Sequence, residues 1–214
     1  KNVSFSEGIA IGSIVNIDEN RHVEPVKYSE GAGIWRLLMA PMVQGKTIGG
    51  RLFSMIKDWV MHPIKCTNVI VDGVNIESHG PNNDGCDPEY SKNVLIKNCT
   101  FNTGDDCIAI KSGRDYDGRR VAIKSENIVV QNCKMIDGHG GVVMGSEISA
   151  GVKNVFVENC VMDSPNLDRA IRIKTNSRRG GVTENVYVRN LEIGQVKECV
   201  LKINMFYGTY ENQI

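Results

Sequence analysis

ENIVVQNCKM (126–135) decides the fold, because the chain repeats it four more times. TNVIVDGVNI (67–76), KNVLIKNCTF (92–101), KNVFVENCVM (153–162) and ENVYVRNLEI (184–193) share the pattern x-Asn-apolar-x-apolar-x-Asn/Gly-apolar-x-apolar. The leading residues Asn68, Asn93, Asn127, Asn154 and Asn185 lie 25, 34, 27 and 31 positions apart. Inside each copy apolar and polar residues alternate, which is strand periodicity rather than helical periodicity. A second strand-like run follows each of the later copies: CIAIKSG (107–113), GVVMGSE (141–147), AIRIKTN (170–176) and VLKINMF (200–206). Each period therefore holds at least two short strands and no convincing helix. A unit of that size cannot bury its apolar face alone, so the units must stack into an all-β solenoid. The Leu-x-x-Leu-x-Leu pattern of the rival leucine-rich solenoid is absent.

Cys99, Cys133 and Cys160 hold one position in three successive copies and are expected to stack in the core as small hydrophobes. Asn98, Asn132 and Asn159 precede them and are expected to form an amide ladder at a bend. A buried ladder would shield the Asn98-Cys99-Thr100 sequon from glycosylation. Residues 1–58 do not register on the repeat and are assigned to an N-terminal cap or incomplete coils, with the β-helix running over 59–214.

Composition narrows the function. Lys plus Arg and Asp plus Glu both number 25, so no global field favours nucleic acid or an anionic membrane. No run of 18 apolar residues offers a membrane span. Twenty-two glycines with few aromatics suit short strands joined by tight turns. Seven cysteines lack the spacing of a disulfide scaffold or zinc site, and no metal or other cofactor is expected.

Equivalent positions on successive coils of a parallel solenoid lie about 4.8 Å apart. The steps from Asp84 to Asp105, His139 and Arg172 are 21, 34 and 33 residues, each about one coil. Asp84, Asp87, Asp105, Asp106, His139, Arg172 and Lys174 are thereby expected on one face. Alternation in Ile171-Arg172-Ile173-Lys174 turns both cations outward, and Lys111 likewise. Asp105 and Asp106 are adjacent, and burying an ionised carboxylate is costly. A bend after Gly104 is expected to present both to solvent. Paired carboxylates supply what glycoside hydrolysis needs, one protonated and one ionised. Alone, Asp-Asp would read as an acidic turn or part of a calcium site; the histidine and Arg-x-Lys in phase favour catalysis.

Four motifs occur in order: Asn82-Asn83-Asp84-Gly85, Gly104-Asp105-Asp106, Gly138-His139-Gly140 and Arg172-Ile173-Lys174. Here the sequence resembles the polygalacturonase family of glycoside hydrolases (family 28), over roughly residues 59–207. Trp59-Val60-Met61-His62 also resembles a family segment, although Met55-Ile56-Lys57-Asp58 departs from the residues that usually precede it. The resemblance implies a single-stranded right-handed parallel β-helix of the pectin-lyase-like kind. It implies hydrolysis of α-1,4-galacturonosyl linkages with inversion, with Asp105 as general acid, Asp84 and Asp106 activating water, and His139 tuning the acid. Inversion sets an expected acid–base separation of roughly 6.5–9.5 Å. Arg172 and Lys174 would bind the substrate carboxylate, with Lys111 and Tyr207 as further substrate contacts. Arg114, Glu147, Arg178 and Arg179 are weaker candidates. The expected partner is a galacturonan chain and the expected state a secreted or periplasmic monomer. The alternatives are a calcium-dependent pectate-lyase-like β-elimination and a non-catalytic β-solenoid that binds carbohydrate or acts as an adhesin.

Overall fold

The computed structural model describes residues 59–208 and, before them, the strands at 14–17, 23–26, 37–39 and 47–53. β1 (Ile14–Ile17) and β2 (Val23–Val26) pair antiparallel. β3 (Leu37–Met39) and β4 (Thr47–Phe53) lie parallel to β5 (Met61–Pro63) and β6 (Thr67–Ser78). Two strands of the unregistered N-terminal region thus continue the sheets of the repeat, and β1 and β2 form a separate pair, while the rest of the proposed cap lies outside the described residues. The next coil is built of β7 (Lys92–Lys97), β8 (Thr100–Thr103) and β9 (Ile108–Ile110). α1 (Asp115–Val121) leads to β10 (Ser125–Gln131), β11 (Lys134–Met135) and β12 (Val142–Gly145). β13 (Val152–Glu158), β14 (Val161–Met162) and β15 (Arg169–Lys174) form the following coil. β16 (Thr183–Arg189), β17 (Glu192–Ile193) and β18 (Cys199–Asn204) form the last one described.

Every pairing from β3 onward is parallel and joins neighbouring coils, as in Val94–Ile128–Val155–Val186. The copies of the repeat therefore supply β6, β7, β10, β13 and β16, and the runs that follow supply β9, β12, β15 and β18. Inward positions stack like on like. Val94, Ile96, Phe101, Ile108 and Ile110 of one coil are all buried at 1% exposure or less, over and under equivalents from the next. Cys99, Cys133 and Cys160 lie in this core as free thiols, as their position suggested. One short helix, α1, was not legible; its acidic first turn and basic last turn suit the helix dipole.

Asparagine does two jobs in the coil. Asn68, Asn93, Asn98, Asn127, Asn132, Asn154, Asn159, Asn185 and Asn190 all have φ between 52° and 59°, the left-handed region that asparagine tolerates best after glycine. Gly73 takes the equivalent place in the first copy, with φ 67°. The side chains then pair between coils: Asn127 Nδ2 donates to Asn93 Oδ1 at 2.9 Å and Asn154 Nδ2 donates to Asn127 Oδ1 at 2.9 Å. A second ladder joins Asn98 to Asp72 and Asn132 to Asn98. Contrary to expectation, this second ladder is exposed, because the corner it makes faces solvent. Asn98 is held by engagement of its amide, not by burial.

Asn127→Gly should cost about 1–2 kcal/mol, the net worth of its two ladder bonds. Asn127→Ala should cost about 1–2 kcal/mol more, since alanine must also take the left-handed conformation. Chemical denaturation of the two variants checks this, and equal losses would remove the conformational part of the argument.

Candidate active site

The site lies along the outer face of the sheet formed by β9, β12, β15 and β18: Asp105, Asp106 and His139 precede β9 and β12, Arg172 and Lys174 lie on β15, and Lys111 and Tyr207 follow β9 and β18. Register fixes which residues meet. Bridges Met61–Cys86 and Cys86–Ile108 carry this sheet one coil back beyond β9, and Ile108 pairs with Val142, which pairs with Ile171. Counting from those pairs puts Asp84, Asp106 and Gly140 in phase, with Asn83, Asp105 and His139 one position before them. Arg172 is not in that phase. It pairs with Val143, and so sits three residues farther along the strand than the residue opposite Gly140. The 33-residue step from His139 overshoots the 29-residue step of the sheet by four.

Crowding follows directly. One oxygen each of Asp84, Asp105 and Asp106 lie within 4.8 Å of one another, which is the coil spacing. These are contacts between single oxygens, set by the coil spacing and by the adjacency of Asp105 and Asp106, and differ from the separation between carboxyl groups that marks inversion. Gly140 allows the crowding: a Cβ there would lie 3.3 Å from Asp106 Oδ1 and 2.4 Å from Val143 Cγ2. Gly138 has φ 148°, and a Cβ on it would meet the Asp105 carbonyl at 2.6 Å. The two glycines flanking His139 thus let one turn press against the aspartates of the coil below.

Solvent access differs from the expectation. Asp106 is only 1% exposed and Asp84 3%; Asp105 alone keeps an appreciable opening, its side chain 21% exposed. The bend after Gly104 does not free both. Burial of Asp106 is offset by Lys174, whose Nζ donates to Asp106 Oδ2 at 2.6 Å, and by Arg172 Nη1 at 3.8 Å from Oδ1. Both cations leave the core side of the strand as alternation required, yet they are buried at 8% and 5%. Tyr207 covers them, its ring centre 5.3 Å from the Arg172 guanidinium and 5.1 Å from Lys174 Nζ.

Asp84 is held from two sides. The Asp106 backbone N–H donates to its Oδ1 at 3.0 Å, and Lys111 Nζ lies 3.2 Å from its Oδ2. Burial, with the charges of Asp106 and Asp105, outweighs the pull of Lys111 and lifts its carboxyl to about 6. Asp105 goes the other way. Burial pushes it up, but the hydrogen bond with His139 and the charges of Lys174, His139 and Lys111 hold it below the usual range. His139 Nδ1 lies 2.8 Å from Asp105 Oδ1, and that contact raises the imidazole above its ordinary value against partial desolvation.

Several neighbours were not foreseen. Arg169, in phase with Gly140, donates from Nη1 to the His139 carbonyl at 3.2 Å and is anchored by Asp168 and Glu198. Trp59 lies beneath Lys111, with the ammonium 4.2 Å from its ring centre. Asp87 is fully buried near Lys111 rather than lining the cleft. Of the weaker candidates, Arg179 reaches Asp115 at 3.6 Å and Ser146 at 3.4 Å, whereas Arg114 is largely exposed. The three aspartates each face a protein cation or the imidazole.

With this geometry in hand, likeness to known proteins is specific. A sequence model described as "Glycosyl hydrolases family 28" matches residues 37–213. The chain belongs to that family. The match starts before residue 59, so the likeness reaches into the N-terminal strands. A hyperthermoactive exopolygalacturonase from Thermotoga maritima, known from a crystal structure, is 43% identical with a TM-score of 0.69. That likeness covers 79% of this chain and 38% of the other. It shows the fold to be the right-handed parallel β-helix. A probable polygalacturonase of Vitis vinifera is 34% identical over 142 residues, 65% of this chain and 28% of its own. An exo-poly-alpha-D-galacturonosidase of Dickeya chrysanthemi is 29% identical over 146 residues, 68% of this chain and 24% of its own. The family 28 chain described here thus spans about a quarter of the length of these curated relatives.

Proposed function

We propose that this site hydrolyses α-1,4-galacturonosyl linkages, with Asp105 as the acid and Asp84 with Asp106 holding the attacking water. The observation that carries the reading is the split among three crowded carboxylates. Two are buried, each against its own lysine, and the third opens to solvent beside an imidazole. A water making two hydrogen bonds of about 2.8 Å bridges oxygens about 4.6 Å apart, which the cluster accommodates. Asp105 is the carboxyl that a bulky leaving group can reach. Arg172 retains donors beyond its long contact with Asp106, and Lys174 has two N–H bonds left, so both can take a substrate carboxylate. Tyr207 flanks that position. The reading extends to a monomer acting on polysaccharide outside the cytoplasm; among the described residues no helix is long and apolar enough to cross a membrane.

The pH profile tests the assignment. Asp84 must be ionised to activate water, so kcat/KM should rise through about pH 6. The Asp105–His139 pair must keep one proton, which titrates as a property of the pair. Because the pair raises the imidazole, the alkaline limb should fall above the ordinary histidine value. His139→Asn leaves Asp105 to hold the proton alone, and the alkaline limb should move to lower pH. An unchanged limb would separate His139 from the acid.

The reaction class is read from products of the whole protein on polygalacturonate. Reducing ends without unsaturated, ultraviolet-absorbing products, and no loss in chelator, are expected. Unsaturated products lost with chelator would make it a lyase, and binding without turnover a carbohydrate-binding solenoid. Product sizes distinguish release of monomer from cutting within the chain.

A further inference from the structure

Lys111 was grouped with substrate ligands, but its surroundings leave it little to offer a substrate. Its side chain is 6% exposed. The ammonium lies on the Trp59 ring and is ringed by acids: Asp84 Oδ2 at 3.2 Å, Asp87 Oδ2 at 3.7 Å and Glu147 Oε2 at 3.8 Å. Those acids come from two turns on different coils, and Arg114 Nη1 approaches Glu147 at 4.0 Å from the rim. We propose that Lys111 is a positioning residue, which fixes the direction and the ionised state of Asp84 for water activation. The inference rests on the hydrolase reading above.

The geometry says which of the two buried acids beside Lys111, Asp84 or Asp87, carries the charge. Asp84 receives a hydrogen bond from the Asp106 N–H and has the shorter contact with Lys111. Neither oxygen of Asp87 accepts a hydrogen bond, and the residue is fully buried. A carboxyl without donors in such a place keeps its proton; burial and the Asp84 charge hold Asp87 well above the usual range, and its proton is shared in a hydrogen bond with Asp84. Lys111 therefore balances Asp84. The other charges facing Asp84 are Asp105, with His139 on it, and Asp106, with Lys174 and Arg172 on it. Glu147, partly exposed at the rim, shares the ammonium without touching Asp84.

Removing the ammonium should lift Asp84, because an opposite charge at this distance is worth roughly 1–3 pH units. In Lys111→Met the acid limb of kcat/KM should move up from about 6 by at least about one unit. Activity at pH 5 should drop about tenfold or more, with KM within about twofold of wild type. Lys111→Arg should return the limb and recover part of kcat. A raised KM with kcat and limb unmoved would make Lys111 a substrate ligand and overturn the proposal. Should the methionine variant fail to fold, Lys111→Arg decides alone by the same split between KM and kcat. Carbon-13 NMR titration of the Asp84 carboxyl in wild type and Lys111→Met needs no turnover. It therefore tests the proposal even if the hydrolase reading fails, and an Asp84 titration indifferent to Lys111 would overturn it.

Discussion

Asp105→Asn should lower kcat on polygalacturonate by about 10²- to 10⁴-fold, the usual worth of a positioned general acid, while leaving KM and the melting temperature nearly unchanged. The amide matches the carboxyl in shape and can still meet His139 Nδ1 2.8 Å away, but it has no proton to give a leaving oxygen. Little structural cost is expected because Asp105 is the most open of the three aspartates and has no buried cation contact. The competing assignment is Asp84, whose raised carboxyl would mark it as the acid if protonation alone decided. Under the proposed hydrolase reading, access favours Asp105. Asp84 is closed in by the Asp106 N–H and Lys111, so a sugar oxygen cannot approach it without displacing them. Asp84→Asn should also inactivate, but the residual activities should differ in pH dependence. Asp105→Asn should lose the alkaline limb and Asp84→Asn the acid limb. Retention of more than about a tenth of the activity by Asp105→Asn at every pH would return the acid role to Asp84.

The solenoid was legible because its signal is repeated. One copy of x-Asn-apolar-x-apolar is weak, but five copies at coil-length intervals specify both the strands and the direction of stacking. The register of the outer face was less legible. Turns between coils differ in length, so counting residues from His139 to Arg172 gave a one-coil step that the pairing Val143–Arg172 corrects. Motifs located the aspartates, the histidine and the cations, since residue type and order survive such counting errors. Burial did not follow from the pattern. Alternation says which side of a strand a side chain leaves, not what lies over it. The burial of Asp106, Lys111 and Lys174 comes from Tyr207, Trp59 and neighbouring coils, distant in sequence. Arg169 left one clue, its place opposite Gly140, which becomes visible only once the register is known.

Lys174 carries the largest structural consequence. Its Nζ donates to Asp106 Oδ2 at 2.6 Å in a pair whose side chains are 7% and 1% exposed. Asp106 Oδ1 accepts no hydrogen bond, and Arg172 stays 3.8 Å away. Lys174→Met keeps most of the volume but strands a buried carboxylate. Breaking a buried pair on one side costs about 3–5 kcal/mol, which for a chain of this size lowers the melting temperature by roughly 6–20 °C near neutral pH. Lys174→Met with Asp106→Asn removes both charges and should recover much of the loss, so the double-mutant cycle should show strong positive coupling. Substrate affinity supplies a separate reading: Asp106→Asn frees Lys174 and should not raise KM for a uronate polymer, whereas Lys174→Met should. If the two single variants destabilise additively, the pair is not what offsets the burial of Asp106, and Arg172, 3.8 Å away, would be its main partner instead.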